Sequence, residues 1–117
     1  MTKRLLYVLQ KPPYLDQRVT ESFDAALVAA AFDQHVSLLF RGDGLQQLLA
    51  GQNVSNQRNL AKMLRSLATY EITDVYVDHS DMTDQDLSHE DFEIAVTPIT
   101  HQAIGELIAS HDLVLAG

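Results

Sequence analysis

The sequence predicts an α/β domain: a mainly parallel sheet of about five strands, covered on both faces by helices in a three-layer sandwich. Three observations predict it. Short apolar runs such as Leu5-Leu6-Tyr7-Val8-Leu9 and Val36-Ser37-Leu38-Leu39-Phe40 lack strict polar alternation, which is the pattern of strands buried on both faces. Segments with apolar residues at helical spacing separate them. Gly and Pro clusters mark the boundaries, as in Gln10-Lys11-Pro12-Pro13-Tyr14 and Gly42-Asp43-Gly44.

Taken in order, Leu5 to Leu9 is the first strand, broken by two prolines that no central strand tolerates. From about Gln17 to Phe32, the residues Val19, Phe23, Ala26, Leu27, Ala30 and Ala31 recur at helical spacing. The alanines of its second half favour helix and permit close packing on a sheet. Val36 to Phe40 is the second strand. Leu45 to Leu49 make a short helical turn, and Asn56 to Ala68 a second amphipathic helix with Leu60, Met63, Leu64 and Leu67 on one face. Val75-Tyr76-Val77 is the third strand, followed by an acidic region, Asp78 to Asp91, with room for a short helix. Ile94-Ala95-Val96 is expected as the fourth strand. Thr97 and Pro98 then suit the N-cap and first turn of a last helix carrying Ile99, Ala103, Ile104, Leu107 and Ile108. Leu113-Val114-Leu115 closes the sheet.

At 117 residues the chain has material for one core, so residues 1–117 are expected to form a single domain. No apolar run reaches membrane-spanning length, and Lys3-Arg4 precede only a five-residue apolar run, too short for a signal peptide. A cytoplasmic protein is expected, and the absence of Cys agrees. The net charge is -8. All eight Lys and Arg lie at or before Arg65, against five acids there, whereas the remainder holds eleven acids and no Lys or Arg. So acidic a chain is poorly suited to hold a phosphate backbone directly, and suits a partner with a basic surface.

Motifs narrow the chemistry further. Gly42-x-Gly44 follows a strand, but Gln47 stands where a dinucleotide fingerprint needs its third small residue. A tight turn with positive φ at one or both glycines is expected instead. Asp78 at the end of the third strand lacks the companion acids and late Lys that a phospho-accepting aspartate needs. Asp78, Asp81, Asp84, Asp86, Glu90, Asp91 and Glu93 fit no calcium-loop register, so no metal is expected. The five histidines are scattered, and no Gly-x-Ser-x-Gly elbow accompanies them. His111 sits where its protonated ring would complement a helix dipole. With no Cys, the chain has no thiolate nucleophile and can hold no persulfide.

The ordered series Leu6-Tyr7-Val8-Leu9, Phe23-Asp24-Ala25-Ala26-Leu27-Val28-Ala29-Ala30-Ala31-Phe32 and Phe40-Arg41-Gly42-Asp43-Gly44-Leu45-Gln46-Gln47-Leu48-Leu49 resembles the DsrE/DsrF-like family. So do Leu67 to Val77 and Val96-Thr97-Pro98-Ile99 leading to Asp112-Leu113-Val114-Leu115. The likeness is strongest to a DsrF-type subunit of a sulfur-relay complex. It implies a non-catalytic accessory subunit that needs no cofactor. The implied partners are TusB-like and TusD-like subunits in a heterohexamer of two heterotrimers. That complex would pass persulfide sulfur from an upstream carrier toward 2-thiolation of a tRNA wobble uridine, without direct tRNA contact by this chain. Asp78 occupies the position of the family's thiol, so no catalytic residue carries over. Interface candidates are Tyr14, Gly44, Leu45, Leu48, Leu49 and Tyr76; the leucines have the alternative of closing the domain's own core. Two other readings are a DsrF-type sulfur-oxidation subunit or homo-oligomer, and an independent enzyme or ligand binder built on Asp78 and His79.

Overall fold

The computed structural model describes residues 3–10, 18–50 and 64–116. The Pro12-Pro13-Tyr14 loop lies outside the described residues. So do the helix expected from Asn56 as far as Met63 and the side chains of Val19 and Phe23. Among the described residues five strands form one sheet in the order β4-β3-β2-β1-β5, every pair parallel. They are β1 (Arg4–Leu9), β2 (His35–Phe40), β3 (Asp74–Asp78), β4 (Thr97–Ile99) and β5 (Leu113–Ala116). The described α-helices are α1 (Arg18–Ala31), α2 (His79–Asp84) and α3 (His101–Ala109). Short 3-10 segments run over Gly42–Leu48, Leu67–Tyr70 and His89–Asp91.

The topology follows from parallel pairing and connection handedness. Steps from β1 to β2, β3 and β4 all move in one direction, so right-handed crossovers put their connections on one face. The step from β4 to β5 runs back across the sheet, and α3 therefore covers the other face. The two apolar clusters divide in the same way. Leu5, Tyr7, Leu9, Val36, Leu38, Phe40, Val75 and Val77 pack with Ala26 of α1, Leu45, Leu48 and Leu64. Leu6, Val8 and Leu39 pack with Ile104 of α3, joined by Tyr76, Ile99 and Leu107. Alternation along each strand sends neighbouring residues to opposite clusters, as expected for a sheet between two layers.

Two expectations are corrected. Ile94-Ala95-Val96 is irregular, and the fourth strand is Thr97–Ile99. The residue before a proline is biased toward extended backbone, and Pro is tolerated on an edge strand such as β4. The last helix is capped instead by Thr100, whose Oγ1 accepts from the Ala103 N–H at 3.2 Å. Ile99 thus belongs to the strand and packs beside Leu39 and Tyr76. The acidic region is also more ordered than its composition implies: it holds α2 and a Ser88/Asp91 capping box.

Candidate functional site

In parallel α/β sheets, chemistry gathers at the carboxyl ends of the strands. Here β2 leads into Arg41 and Gly42, and β3 ends in Asp78. Asp78 is 6% exposed and caps α2. Its Oδ1 accepts from the backbone N–H of Ser80 at 3.0 Å and of Asp81 at 3.4 Å. Its Oδ2 faces the Arg41 Nε at 3.4 Å. The neighbouring Asp81 Oδ2 accepts from the Gly42 N–H at 2.7 Å, and the Gln85 side-chain amide donates to the Gly42 carbonyl at 2.8 Å. Both backbone polar groups of Gly42 are thereby clamped by α2 or the residue after it. This network locks the end of β2 to the end of β3. Both oxygens of Asp78 are engaged, so the carboxylate acts as a strut, and His79 beside it is exposed.

The glycine pair works as a turn, with positive φ only at Gly42, at +53°. Gly44 has a different task. A Cβ there would lie 2.0 Å from the Leu9 carbonyl oxygen, so the turn packs directly on the end of β1. Gly44 is buried, and Leu45 and Leu48 are 0% exposed inside the larger cluster. These three interface candidates face the domain's own interior, where they close the core. Leu49 is half-buried against the same cluster and forms an isolated antiparallel bridge with Phe92. Tyr76 is half-buried against Leu6, Val8, Leu39 and Ile104. Burial, and then the Asp74 carboxylate, raise its phenol above the usual tyrosine range, with Arg4 pulling the other way. Tyr14 lies outside the described residues.

A second polar cluster escaped the sequence reading. Ser37 is 1% exposed in the middle of β2, and its Oγ lies 3.1 Å from the His111 Nε2. His111 Nδ1 lies 2.8 Å from the Leu107 carbonyl oxygen, which requires Nδ1 to donate. In the neutral ring Nε2 is then the acceptor and the Ser37 hydroxyl the donor, so the pair ties the end of α3 to the sheet. The contact of His111 with the last turn of α3 is thus a hydrogen bond to the Leu107 carbonyl. The available signal was Ser37 itself, a lone hydroxyl within an apolar run. Among the described residues, no group of three or more His, Asp or Glu converges as a metal site would require.

Together the fold and this site define a class: a three-layer parallel α/β domain whose strand-end aspartate is a structural cap. The chain belongs to the DsrE/DsrF-like family, whose model matches residues 3–116. It is 31% identical over 117 residues to a protein TusC homolog of Pseudomonas aeruginosa, with 98% of each chain covered. It is 35% identical over 98 residues to the intracellular sulfur oxidation protein DsrF of Allochromatium vinosum, covering 81% of this chain and 72% of that one. The crystal structure of the ychN protein from E. coli superposes with a TM-score of 0.85 over the whole of both chains, at 19% identity, which speaks to the fold alone. No described helix is long and apolar enough to cross a membrane.

Proposed function

We propose that this chain is a non-catalytic, TusC-type subunit of a cytoplasmic sulfur-relay complex that passes persulfide sulfur toward 2-thiolation of a tRNA wobble uridine. The observation that carries the reading is the pairing of near-full-length similarity to TusC homologs with the absence of Cys from all 117 residues. Persulfide transfer needs a thiolate to receive the sulfur, so a partner must supply it. The state of Asp78 supports the same role: a carboxylate committed to Arg41 and two backbone N–H groups is built to hold a turn. On this reading the partners are a TusB-like and a TusD-like subunit, two copies of the heterotrimer forming the heterohexamer, with the thiol on the TusD-like chain. The excess of acid leaves tRNA contact to others.

The test is native mass analysis of the tagged protein purified from its own cells. A hexamer-sized species with two related small chains, one bearing a reactive Cys, is expected. A monomer or homo-oligomer without such partners at physiological salt overturns the reading. The similarity to DsrF supports a second setting, a sulfur-oxidation complex. Deleting the gene discriminates: loss of tRNA 2-thiouridine marks the first setting, and loss of sulfur oxidation with intact thiouridine marks the second.

A further inference from the structure

Strand β5 has the sequence of a buried strand and the position of an exposed one. Leu113-Val114-Leu115-Ala116 is an uninterrupted apolar run, which in a parallel sheet belongs under cover on both faces. Among the described residues β5 is outermost and pairs with β1 alone. Leu113, Val114 and Leu115 remain 47%, 41% and 37% exposed. Val114 pairs in register with Leu6, so it lies on the face that α3 covers, while Leu113 and Leu115 lie on the opposite face. The third open side is the edge. The carbonyls of Lys3 and Leu9 accept from β2, so the even-numbered residues of β1 bond β5; with Leu5 opposite Leu113, the backbone groups of Leu113 and Leu115 turn inward and those of Val114 and Ala116 turn outward. The opposite edge is protected differently: β4 has three residues, one of them Pro98. Nothing of that kind blunts β5, which has no charge, proline or glycine.

Three open sides need a strand at the edge and a layer over each face. A lone extended peptide would satisfy only the edge. A second α/β domain set edge to edge satisfies all three, because its sheet continues the ladder and its flanking layers continue both faces. Charge selects a non-identical domain over a second copy. The segment after Arg65 that contains β5 carries eleven acids and no Lys or Arg, and Glu106 and Asp112 are exposed there. Two copies meeting at this edge would oppose like charges, whereas a partner with a basic flank would be attracted. Area agrees, because three partly exposed side chains offer only a fraction of the ~800 Å² per partner that a stable interface buries. Self-pairing on β5 alone therefore falls short, and the edge works as one part of a larger assembly.

We infer that β5 is the docking edge for a second, non-identical α/β subunit that presents an open apolar strand and a basic flank. The inference rests on the relay-subunit reading and adds the surface that reading lacks. The test is amide hydrogen exchange on the complex purified from source cells, set against the isolated chain. Exchange at Val114 and Ala116 is expected to slow at least about tenfold on assembly. The Leu115→Lys variant, charged at an already exposed position, is expected to lose the partner while keeping the wild-type melting midpoint in isolation. A complex whose β5 amides exchange as fast as in the isolated chain overturns the docking edge and leaves the relay reading standing. Failure to find any complex overturns both. An isolated chain that is dimeric with protected β5 amides overturns the inference in favour of a second copy.

Discussion

Asp78 shows how a single buried side chain can hold two strand ends and a helix start together. A carboxylate at the end of β3 accepts from the first N–H groups of α2 and pairs with Arg41, so its removal strands three donors. Asp78→Ala is expected to lower unfolding free energy by about 2 kcal/mol, from the lost cap and the orphaned guanidinium. Asp78→Asn retains an acceptor for the cap and should lose roughly half as much. Urea denaturation of the isolated chain measures both. Any activity attributed to Asp78 itself would instead vanish in the folded Asn variant, which would revive the ligand-binder reading. Gly44 makes a steric prediction of the same sharpness. The atom facing its missing Cβ is backbone, which cannot swing aside. Gly44→Ala should therefore cost about 3 kcal/mol or more, read as a fall in urea midpoint, by forcing the turn away from β1.

Elements divide by how local their signals are. Thr100→Ala should remove the α3 cap and cost about 1 kcal/mol, while Thr97→Ala, exposed on edge strand β4, should cost a few tenths at most. Thermal melts of the two variants compare the caps directly; equal losses would contradict the observed start of α3. The same stretch explains what sequence could and could not give. β1, α1, β2 and β3 were legible because their apolar runs and helical spacing are strong and bounded by breakers. Thr97-Pro98 satisfies the rules for a helix start, yet Ile99 is needed beside Leu39 and Tyr76, and this tertiary demand moves the cap to Thr100. The structural role of Gly44 was beyond reach, since it depends on where β1 ends in space. Leu45 and Leu48 pose the general difficulty: periodicity marks them apolar, and only packing decides between core and interface. The Ser37–His111 tie joins residues 74 apart in sequence, so no local pattern could pair them.

For the whole molecule, the contrast between a basic first half and an acidic remainder is partly offset on folding. Arg41 pairs with Asp78, and Arg65 meets Glu93 at 2.7 Å, so cations of the first part neutralise acids of the second. Even so the net charge stays at -8, and raising the pH adds to it. The tyrosines set where that becomes costly. Burial raises the Tyr7 phenol above its usual 10.0, and burial followed by Asp74 raises Tyr76. In the unfolded chain both ionise first, so between the unfolded and folded values the native state binds more protons. Stability must then fall with rising pH, beginning near the unfolded tyrosine value of about 10, and be fully retained below it as far as these groups are concerned. Urea unfolding between about pH 9 and pH 11.5 measures the slope, and Tyr7→Phe should flatten it because the ring stays while the titrating proton goes. Every other group is common to both proteins, so the difference between their slopes isolates the phenol. Identical slopes would mean that Tyr7 ionises in place without loss, and that its burial under the α1 face of the sheet is looser than its 8% exposure requires.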